Sequence, residues 1–293
     1  MIIVPDPIRL ADLCKSYPVN ADVAKTVVSI SDLQINFGSF TCIVGKNGCG
    51  KTTLLRLLAG LEHPTKGSIS SLPRKVSLVF QDPRLLPWLT VTENIALARK
   101  GRKQPPNQKN SRAGLAQLLE DLELSETADF YPNQLSGGMA QRVSLGRALF
   151  YDADLILMDE PFSALDYFTR QHLQKLVLRL FQDSRKTIVF VTHDVEEALL
   201  LGDRLLVMET GSIKADLSLA FPRPRTAADP AQPSRISASS SISGCGSGPN
   251  WVSAKVQCRF SPPLEYSMRE KWTWNCRARA SPSASPMRSR IAA

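Results

Sequence analysis

The stretch with the clearest chemistry is a glycine-rich segment at residues 45–53, which reads Gly-Lys-Asn-Gly-Cys-Gly-Lys-Thr-Thr. It fits the pattern G-x-x-x-x-G-K-[ST]. Its glycines allow backbone angles that turn successive N–H groups toward one anion. Lys51 can reach the β- and γ-phosphates of a nucleotide, and the Thr52 hydroxyl can ligate Mg²⁺. The predicted nucleotide contacts are Gly45, Asn47, Gly48, Cys49, Gly50, Lys51, Thr52 and Thr53.

The segments on either side supply the context that this motif needs. Residues 40–44 are apolar, as expected for a buried strand. Residues 52–59 have the pattern of a helix that is closed by Gly60. A helix that begins at the loop adds the positive end of its dipole to the anion site. This context favours a phosphate-binding loop over a chance glycine turn.

Three further apolar runs end in polar residues. They are 76–80 before Gln81, 154–158 before Asp159 and Glu160, and 187–191 before Thr192 and His193. Strands that alternate with helices predict an α/β fold with a doubly wound parallel sheet. Because ligands bind at the carboxyl ends of the strands in such sheets, we expect these polar residues to lie near the glycine-rich loop.

Composition is that of a soluble globular protein, since 43% of the 293 residues are hydrophobic and 22% are charged. No apolar run reaches the ~18 residues that a membrane-spanning helix needs. The first residues contain neither a basic segment nor a long apolar core, which predicts no signal peptide. The six cysteines form no C-x-x-C pair and no metal spacing, which indicates reduced thiols in a cytoplasmic protein.

The net charge of +9 belongs almost entirely to the C-terminal part of the chain. Residues 219–293 hold 11 Lys and Arg against 3 Asp and Glu, whereas residues 1–218 hold 25 against 24. From residue 226 the chain is rich in Ser, Pro, Arg and Ala, a composition that does not readily bury a core. We predict a folded domain over 1–218 and a low-complexity, disordered tail over 219–293. The tail is interpreted as an extension or a frameshift product without function, and its tryptophans leave an RNA-binding alternative open.

Within the predicted domain, the opening strands and a helical insertion flank the phosphate loop. Alternating apolar positions predict strands at 8–17, 27–30 and 33–35, with an exposed turn over 18–26. Residues 82–150 have mainly helical spacing and are interpreted as an insertion in the α/β frame, with a polar linker at 100–110.

The ordered set of motifs resembles an ABC transporter ATPase over residues 8–218. The motifs are the phosphate loop at 45–53, Gln81, the signature Leu-Ser-Gly-Gly-Met-Ala-Gln-Arg at 135–142, the Walker B run at 155–160, Ser-Ala-Leu-Asp at 163–166 and His193. The resemblance implies a P-loop NTPase with a parallel-sheet core, a small antiparallel β subdomain and a helical subdomain at about 82–150. It also implies that the chain binds ATP and Mg²⁺ and hydrolyses ATP.

The resemblance assigns a role to each polar residue that follows a strand. Asp159 would hold Mg²⁺ together with Thr52 and Gln81. Glu160 would polarise the attacking water as a general base. Lys51 and His193 would neutralise charge on the transferred phosphoryl group. The expected catalytic residues are therefore Glu160, His193, Gln81 and Lys51.

A second glycine-rich anion site is formed by Ser136, Gly137 and Gly138 at the start of a predicted helix. The resemblance implies that this site binds the γ-phosphate of a nucleotide held by the opposite subunit of a head-to-tail pair, expected to be a homodimer. Asp166 would communicate across the interface between the two subunits. The same resemblance favours Tyr17 as a platform on which the purine stacks over its alternative as an edge aromatic.

The segments at 81–91 and 217–225 are similar to those of nitrate, sulfonate and taurine importer ATPases. This implies membrane permease subunits, a periplasmic or extracellular substrate-binding protein, and a location at the cytoplasmic face of the inner membrane. Leu85, Leu86 and Trp88 are expected to form an exposed apolar surface that docks on the permease. The alternative is a soluble ABC ATPase that acts on nucleic acid or ribosomes. The chain lacks a second cassette and a long coiled coil, so no nucleic-acid partner is expected.

Overall fold

The structure is a computed structural model that describes residues 6–20, 23–99, 112–184, 186–219, 223, 225 and 236–238. Strands and helices alternate along most of this length. The strands are β1 (Ile8–Asn20), β2 (Val23–Ile35), β3 (Phe40–Val44), β4 (Lys66–Ser70), β5 (Val76–Val79), β6 (Leu155–Asp159), β7 (Thr187–Thr192), β8 (Arg204–Glu209), β9 (Ser212–Leu219) and β10 (Ile236–Ala238). The helices are α1 (Lys51–Leu58), α2 (Val91–Ala96), α3 (Arg112–Asp121), α4 (Gly137–Phe150), α5 (Tyr167–Ser184) and α6 (Val195–Leu201).

The larger sheet has the strand order β10-β9-β8-β3-β7-β6-β5. The pairs from β8 to β5 are parallel, and β9 and β10 add an antiparallel edge. β3, β6 and β7 are buried along their whole length, as expected for parallel strands that are covered on both faces. The predicted α/β fold with a parallel core is therefore confirmed.

A smaller antiparallel sheet of order β2-β1-β4 confirms the predicted β subdomain. Its apolar residues, such as Leu10 and Ile30, share a core with Leu57 of α1 and Ile43 of β3. Burial of apolar surface contributes about 25 cal/mol per Å². This core fixes α1, and with it the phosphate loop, against the end of β3.

The second core contains residues of the larger sheet and of the helices α4, α5 and α6. The rings of Phe40 and Phe181 meet edge to face with centroids 5.4 Å apart, and those of Phe162 and Phe190 are 5.5 Å apart. Aromatic pairs at such distances add to the stabilisation from area burial alone. The Phe162–Phe190 contact packs the segment after β6 against β7 on one face of the sheet.

The helical part of the chain between β5 and β6 consists of α2, α3 and α4. α2 begins with a capping box, in which Thr90 accepts from the Glu93 N–H at 3.2 Å and the Glu93 side chain accepts from the Thr90 N–H at 2.9 Å. Ser136 caps α4 by accepting from the Met139 N–H. The predicted polar linker at 100–110 lies outside the described residues.

Residues 18–20 and 23–26 are exposed as predicted, but the predicted turn is wrong for them, because they extend the strands of a long hairpin; residues 21 and 22 lie outside the described part of the chain. Tyr17 pairs with Lys25 and Pro18 with Ala24, so β1 and β2 continue beyond the predicted strand ends. The two short strands predicted at 27–30 and 33–35 are parts of the single strand β2. Pairing between β1 and β2 supplies the backbone hydrogen bonds that Pro18 and the polar residues would otherwise leave to solvent.

Six residues of the predicted C-terminal tail contact the folded domain, namely Leu219, Arg223, Arg225 and Ile236–Ala238. Leu219 ends β9 and is buried. Arg225 is 7% exposed and donates from Nη1 to the Leu199 carbonyl at 2.9 Å, and Arg223 forms an ion pair of 2.7 Å with Asp203. Ile236–Ala238 pairs with β9 through its backbone, and the rest of the tail lies outside the described residues. Within the part of the chain described, no helix has both the length and the apolar character to cross a bilayer.

Candidate nucleotide-binding site

Lys51 is the first residue of α1, and its ammonium group lies inside the loop at 45–53. Its Nζ donates to the Gly45 carbonyl at 2.7 Å and to the Lys46 carbonyl at 3.2 Å. The side chain is only 6% exposed. Its nearest anionic group is the Glu160 carboxylate, with 4.0 Å between Nζ and Oε1. A buried cation at a helix N-terminus is suited to binding phosphate.

Two glycines of the loop are required by the backbone around them. A Cβ at Gly45 would lie 2.2 Å from the Met208 carbonyl oxygen. Gly50 has φ +105°, and a Cβ there would lie 2.5 Å from the Val27 carbonyl oxygen. Larger residues at either position would push the loop away from β2 and β8. Steric contact with its neighbours therefore fixes the shape of the loop.

Thr52 and Asp159 bring two oxygen donors together beside the loop. The pKa of the Asp159 carboxyl lies above its usual value. Burial is the largest cause and the Glu160 charge adds to it, whereas a hydrogen bond from Thr52 acts in the opposite direction. Gln81 lines the same cavity as Thr52. Hydroxyl, amide and carboxylate oxygens are the ligand types that Mg²⁺ prefers. The donor set therefore fits a magnesium ion.

Glu160 follows β6 and contacts His193, which follows the neighbouring strand β7. Oε2 of Glu160 lies 2.9 Å from Nδ1 of His193. Glu160 has φ +46°, a conformation that costs a residue with a side chain about 1–3 kcal/mol. Its N–H donates to the Val191 carbonyl at 2.9 Å, and its carbonyl accepts from the Ser163 N–H at 3.2 Å and from the Ser163 hydroxyl at 3.0 Å. These contacts hold the strained residue with its carboxylate toward the loop.

A cavity of about 270 Å³ lies between the loop and the ends of the strands. Its lining unites residues from the loop, from the end of β5 and from the end of β6. The lining residues are Val27, Asn47, Gly48, Gly50, Lys51, Thr52, Thr53, Gln81 and Glu160. Most of the residues predicted for the phosphate site thus face one cavity.

Ser136, Gly137 and Gly138 do not line this cavity. They form the exposed N-terminus of α4, where Ser136 accepts from the Met139 N–H at 3.2 Å. A Cβ at Gly138 would lie 3.3 Å from Leu165, so this helix start packs against residues 163–166. Asp166 in that segment is exposed and accepts from the Thr169 N–H at 3.0 Å. These four residues are exposed or half-buried and are available to a second molecule.

Tyr17 lies near Thr53, a residue of the cavity lining. The Tyr17 hydroxyl also donates to the Glu62 carboxylate, and Lys15 lies 5.1 Å from the ring centroid. Burial and the Glu62 carboxylate raise the pKa of Tyr17 above its usual value. The contacts with Glu62 and Lys15 hold the ring of Tyr17 in place.

The loop at 82–90 is shaped by two polar side chains that the sequence analysis did not identify. Asn94, which is fully buried, bonds the backbone of Leu86 at 2.9 and 3.2 Å and the Leu89 carbonyl at 2.9 Å. Arg147 of α4 donates to the Pro83 and Arg84 carbonyls, both at 3.0 Å. Sequence spacing gives no signal for these bonds, because their partners are backbone groups of a loop.

The expectation that Leu85, Leu86 and Trp88 are all exposed is only partly correct. Trp88 is 68% exposed. Leu85 and Leu86 are half-buried, and Leu85 packs against the second core. Leu85 turns inward because the Arg147 and Asn94 bonds draw the loop backbone onto α4 and α2. The exposed apolar surface of the loop therefore centres on Trp88.

Gln141 and Glu197 are two further buried polar residues near the site that the sequence analysis missed. Gln141 of α4 is 2% exposed and donates to the Phe80 carbonyl at 3.2 Å, directly before Gln81. Glu197 of α6 is 8% exposed and lies beside a small cavity of about 50 Å³ that His193 also lines. Both occupy helical positions where a polar residue usually faces solvent, so only the fold reveals their burial.

Comparison with known proteins adds independent information. The ABC transporter family matches residues 28–163, which include the phosphate loop, Gln81, Ser136 and Glu160. The aliphatic sulfonates import ATP-binding protein SsuB of Granulibacter bethesdensis is 47% identical over 206 residues, 70% of this chain and 83% of that protein. SsuB 1 of Pseudomonas syringae pv. syringae is 45% identical over 212 residues, 72% of this chain and 86% of that protein.

Solved structures resemble the fold over a similar share of the chain. A dimeric post-hydrolysis state of the ATP-binding cassette MJ0796 bound to ADP and Pi aligns with a TM-score of 0.66 at 30% identity. The alignment covers 73% of this chain and 100% of that chain. A second dimeric structure of the same bacterial ABC transporter cassette aligns with a TM-score of 0.64.

Proposed function

The chain belongs to the ABC transporter family of ATP-hydrolysing subunits, and from this premise we propose that it powers a membrane importer of aliphatic sulfonates. The observation that carries the proposal is the convergence of Lys51, Glu160 and His193 at the loop of a chain that is 47% identical to a sulfonate import subunit. The alternative of a soluble ABC ATPase acting on nucleic acid or ribosomes has no such support, because the relatives compared above are import proteins.

In the proposed mechanism, the backbone N–H groups of residues 45–53 and the Lys51 ammonium bind the phosphates of ATP. Lys51 is buried and already surrounded by carbonyl oxygens, so its side chain is ordered before binding. Such preorganisation lowers the cost of orienting the phosphates. Charge that develops on the transferred phosphoryl group is neutralised by this lysine.

Thr52, Asp159 and Gln81 are the residues that would hold Mg²⁺. When bound, the ion would neutralise charge on the phosphate groups. Asp159 carries the only carboxylate of this donor set. It is buried beside Thr52, Glu160 and Lys51, and a bound cation would stabilise its charge there.

Glu160 acts as the general base that polarises the attacking water. Its carboxylate lines the cavity, and its strained backbone aims it toward Lys51. His193 bonds the second carboxylate oxygen, so it orients Glu160 and can contact the γ-phosphate that enters the cavity. A positioned base contributes about 10²–10⁴-fold to the rate of such a step.

The second anion site is proposed to act in a homodimer, as in the dimeric cassettes that resemble this chain. Ser136, Gly137 and Gly138 present a helix N-terminus outside the chain's own cavity. A nucleotide bound by the partner subunit would receive these donors. Asp166 lies in the segment that packs on Gly138 and would contact the partner. Tyr17 is assigned to stack on the purine.

The loop at 82–90 is assigned to docking on the permease through Trp88. Its rigid backbone and exposed indole fit the anchor of a protein interface. The subunit would then act at the cytoplasmic face of the inner membrane, and a separate substrate-binding protein would deliver the sulfonate. The folded domain is assigned to 1–218 with the added Leu219, Arg223, Arg225 and Ile236–Ala238.

A transport assay tests this function. Right-side-out membrane vesicles that contain this chain with a sulfonate-importer permease, and that receive the substrate-binding protein outside, should take up an aliphatic sulfonate only when ATP is supplied inside the vesicle. Nitrate and taurine serve as competitors. Taurine is itself a sulfonate and should compete, whereas uptake that prefers nitrate would contradict the sulfonate assignment. ATP hydrolysis stimulated by ribosomes in place of the permease would contradict the importer.

A further inference from the structure

A buried carboxylate lies behind the histidine that contacts Glu160. Glu197 is 8% exposed, and its two oxygens accept hydrogen bonds from different elements. The Thr192 hydroxyl, at the end of β7, donates to Oε2 at 2.8 Å. The Gln174 amide, on α5, donates to Oε1 at 3.1 Å. Glu197 therefore connects α6, β7 and α5 at one point.

The bond to Thr192 fixes the turn that carries His193. The Thr192 hydroxyl also accepts from the Asp194 N–H at 3.0 Å. This one hydroxyl therefore bonds both Glu197 and the residue that follows His193. Asp194 in turn caps α6 by accepting from the Glu196 and Glu197 N–H groups. The backbone of residues 192–194 is thereby closed into a ring of hydrogen bonds that begins and ends at Glu197.

Arg170 extends the network to the segment at 163–166. Its Nε lies 4.0 Å from Oε1 of Glu197, and its Nη2 donates to the Leu165 carbonyl at 3.2 Å. The small cavity of about 50 Å³ is lined by Arg170, Glu197, His193 and Glu160 together. A Cβ added at Gly138 would contact the side chain of this same Leu165, so the segment at 163–166 lies against the start of α4.

We propose that Glu197 is a positioning residue, which holds His193 against Glu160 and connects it through Arg170 to the segment at 163–166. This proposal rests on the proposed function, because it assumes that His193 serves ATP hydrolysis. An apolar side chain would fill the site without the cost of burying a carboxylate. The hydrogen bonds to Thr192 and Gln174 explain why a carboxylate occupies it.

A double-mutant cycle between Glu197 and His193 tests the proposal. Glu197→Ala should lower kcat for ATP hydrolysis by roughly 10–100-fold, since a small misplacement of catalytic groups has effects of that size. KM for ATP and the dissociation constant of a fluorescent ATP analogue should stay within about twofold of the wild type, because the phosphate loop is untouched. In a His193→Ala background, Glu197→Ala should lower kcat further by less than about twofold.

Two more variants keep the test decisive if Glu197→Ala does not fold. Thr192→Val preserves shape and removes the hydroxyl, so it should reproduce most of the loss in kcat. Glu197→Gln retains hydrogen-bonding groups and should recover most of the activity. The matched control is Glu196→Gln, which makes the same change at an exposed position of α6 and should leave kcat unchanged.

The outcomes separate the proposal from the function on which it rests. Equal losses from Glu197→Ala in the wild-type and His193→Ala backgrounds would overturn the positioning role alone, as would wild-type kcat in Thr192→Val. Wild-type kcat in His193→Ala would reject the role of His193 in the proposed function, and the positioning role with it.

Discussion

Nδ1 of His193 lies 2.9 Å from Oε2 of Glu160, although the two residues are 33 positions apart in the sequence. The contact exists because β6 and β7 are neighbours in the parallel sheet and each residue directly follows its strand. Two side chains that leave adjacent parallel strands at the same edge meet above that edge. The pairing of β6 with β7 therefore positions Glu160 and His193 relative to each other.

His193→Ala should lower kcat for ATP hydrolysis by about 100-fold, since removing one preorganised donor to a developing charge has effects of 10²–10³. ATP binding should change little, because Lys51 and the loop backbone remain. The measurements are single-turnover hydrolysis and equilibrium ATP binding. His172→Ala, which removes a histidine bonded to the Asp121 carbonyl, is the control. Equal losses in both variants would show a general effect on the fold.

Tyr17→Ala should weaken ATP binding by about 1–3 kcal/mol, the range for stacking of a base on an aromatic ring. Tyr17→Phe keeps the ring but loses the hydroxyl bond to Glu62, and it should have the smaller effect. Titration with a fluorescent ATP analogue measures both. Wild-type affinity in Tyr17→Ala would remove Tyr17 from the nucleotide site.

Trp88→Ser should reduce co-purification of the permease and leave ATP binding unchanged, because the indole is exposed and lies outside the cavity lining. Loss of an aromatic anchor costs an interface about 2 kcal/mol or more. Leu61→Ser, at another exposed apolar residue, is the control and should not affect the complex. Leu85→Ser should lower the melting temperature, because Leu85 packs on the core. Full recovery of the permease with Trp88→Ser would contradict the docking assignment.

Glu197→Gln should change how stability depends on pH. Burial raises the pKa of the Glu197 carboxyl, bonds from Thr192 and Gln174 and the charge of Arg170 lower it, and Asp194 raises it. His193 and Glu160 face it across the small cavity. Because its pKa is higher in the folded than in the unfolded state, Glu197 binds a proton more tightly in the folded state, and this proton stabilises the fold at acid pH. This stabilisation is lost as the pH rises through the folded-state pKa of Glu197.

The free energy of unfolding of Glu197→Gln, measured relative to the wild type, should therefore increase between pH ~4 and pH ~7.5. Urea unfolding at several pH values measures this difference. Glu196→Gln, at an exposed position of the same helix, should show no comparable trend. A difference that stays constant or falls with rising pH in Glu197→Gln would contradict a raised folded-state pKa.

The sequence predicts the parallel core and the residues at its edge because both depend on local pattern. Buried parallel strands are continuous apolar runs, and polar residues such as Gln81, Asp159 and His193 directly follow them. The phosphate loop has a fixed spacing and a fixed context. Local pattern was thus sufficient for the elements on which the site depends.

The sequence does not predict features that arise from pairing between distant segments. The hairpin around Tyr17 and Lys25 continues because each strand completes the other, although Pro18 and Asn20 suggest a turn. Arg225 lies within the predicted tail, yet it donates to a carbonyl near the end of α6. Leu85 and Glu197 likewise have partners that only the fold brings near.

The central claim, that Glu160 is the general base of ATP hydrolysis, is tested most directly by steady-state ATPase activity of Glu160→Gln. The variant retains the shape of the side chain, the Lys51 contacts with the loop carbonyls and the oxygen donors for Mg²⁺. We predict that it binds ATP like the wild type and hydrolyses it at least 100-fold more slowly, since a general base contributes about 10²–10⁴-fold. Steady-state hydrolysis near the wild-type rate in the Glu160→Gln protein would contradict this account.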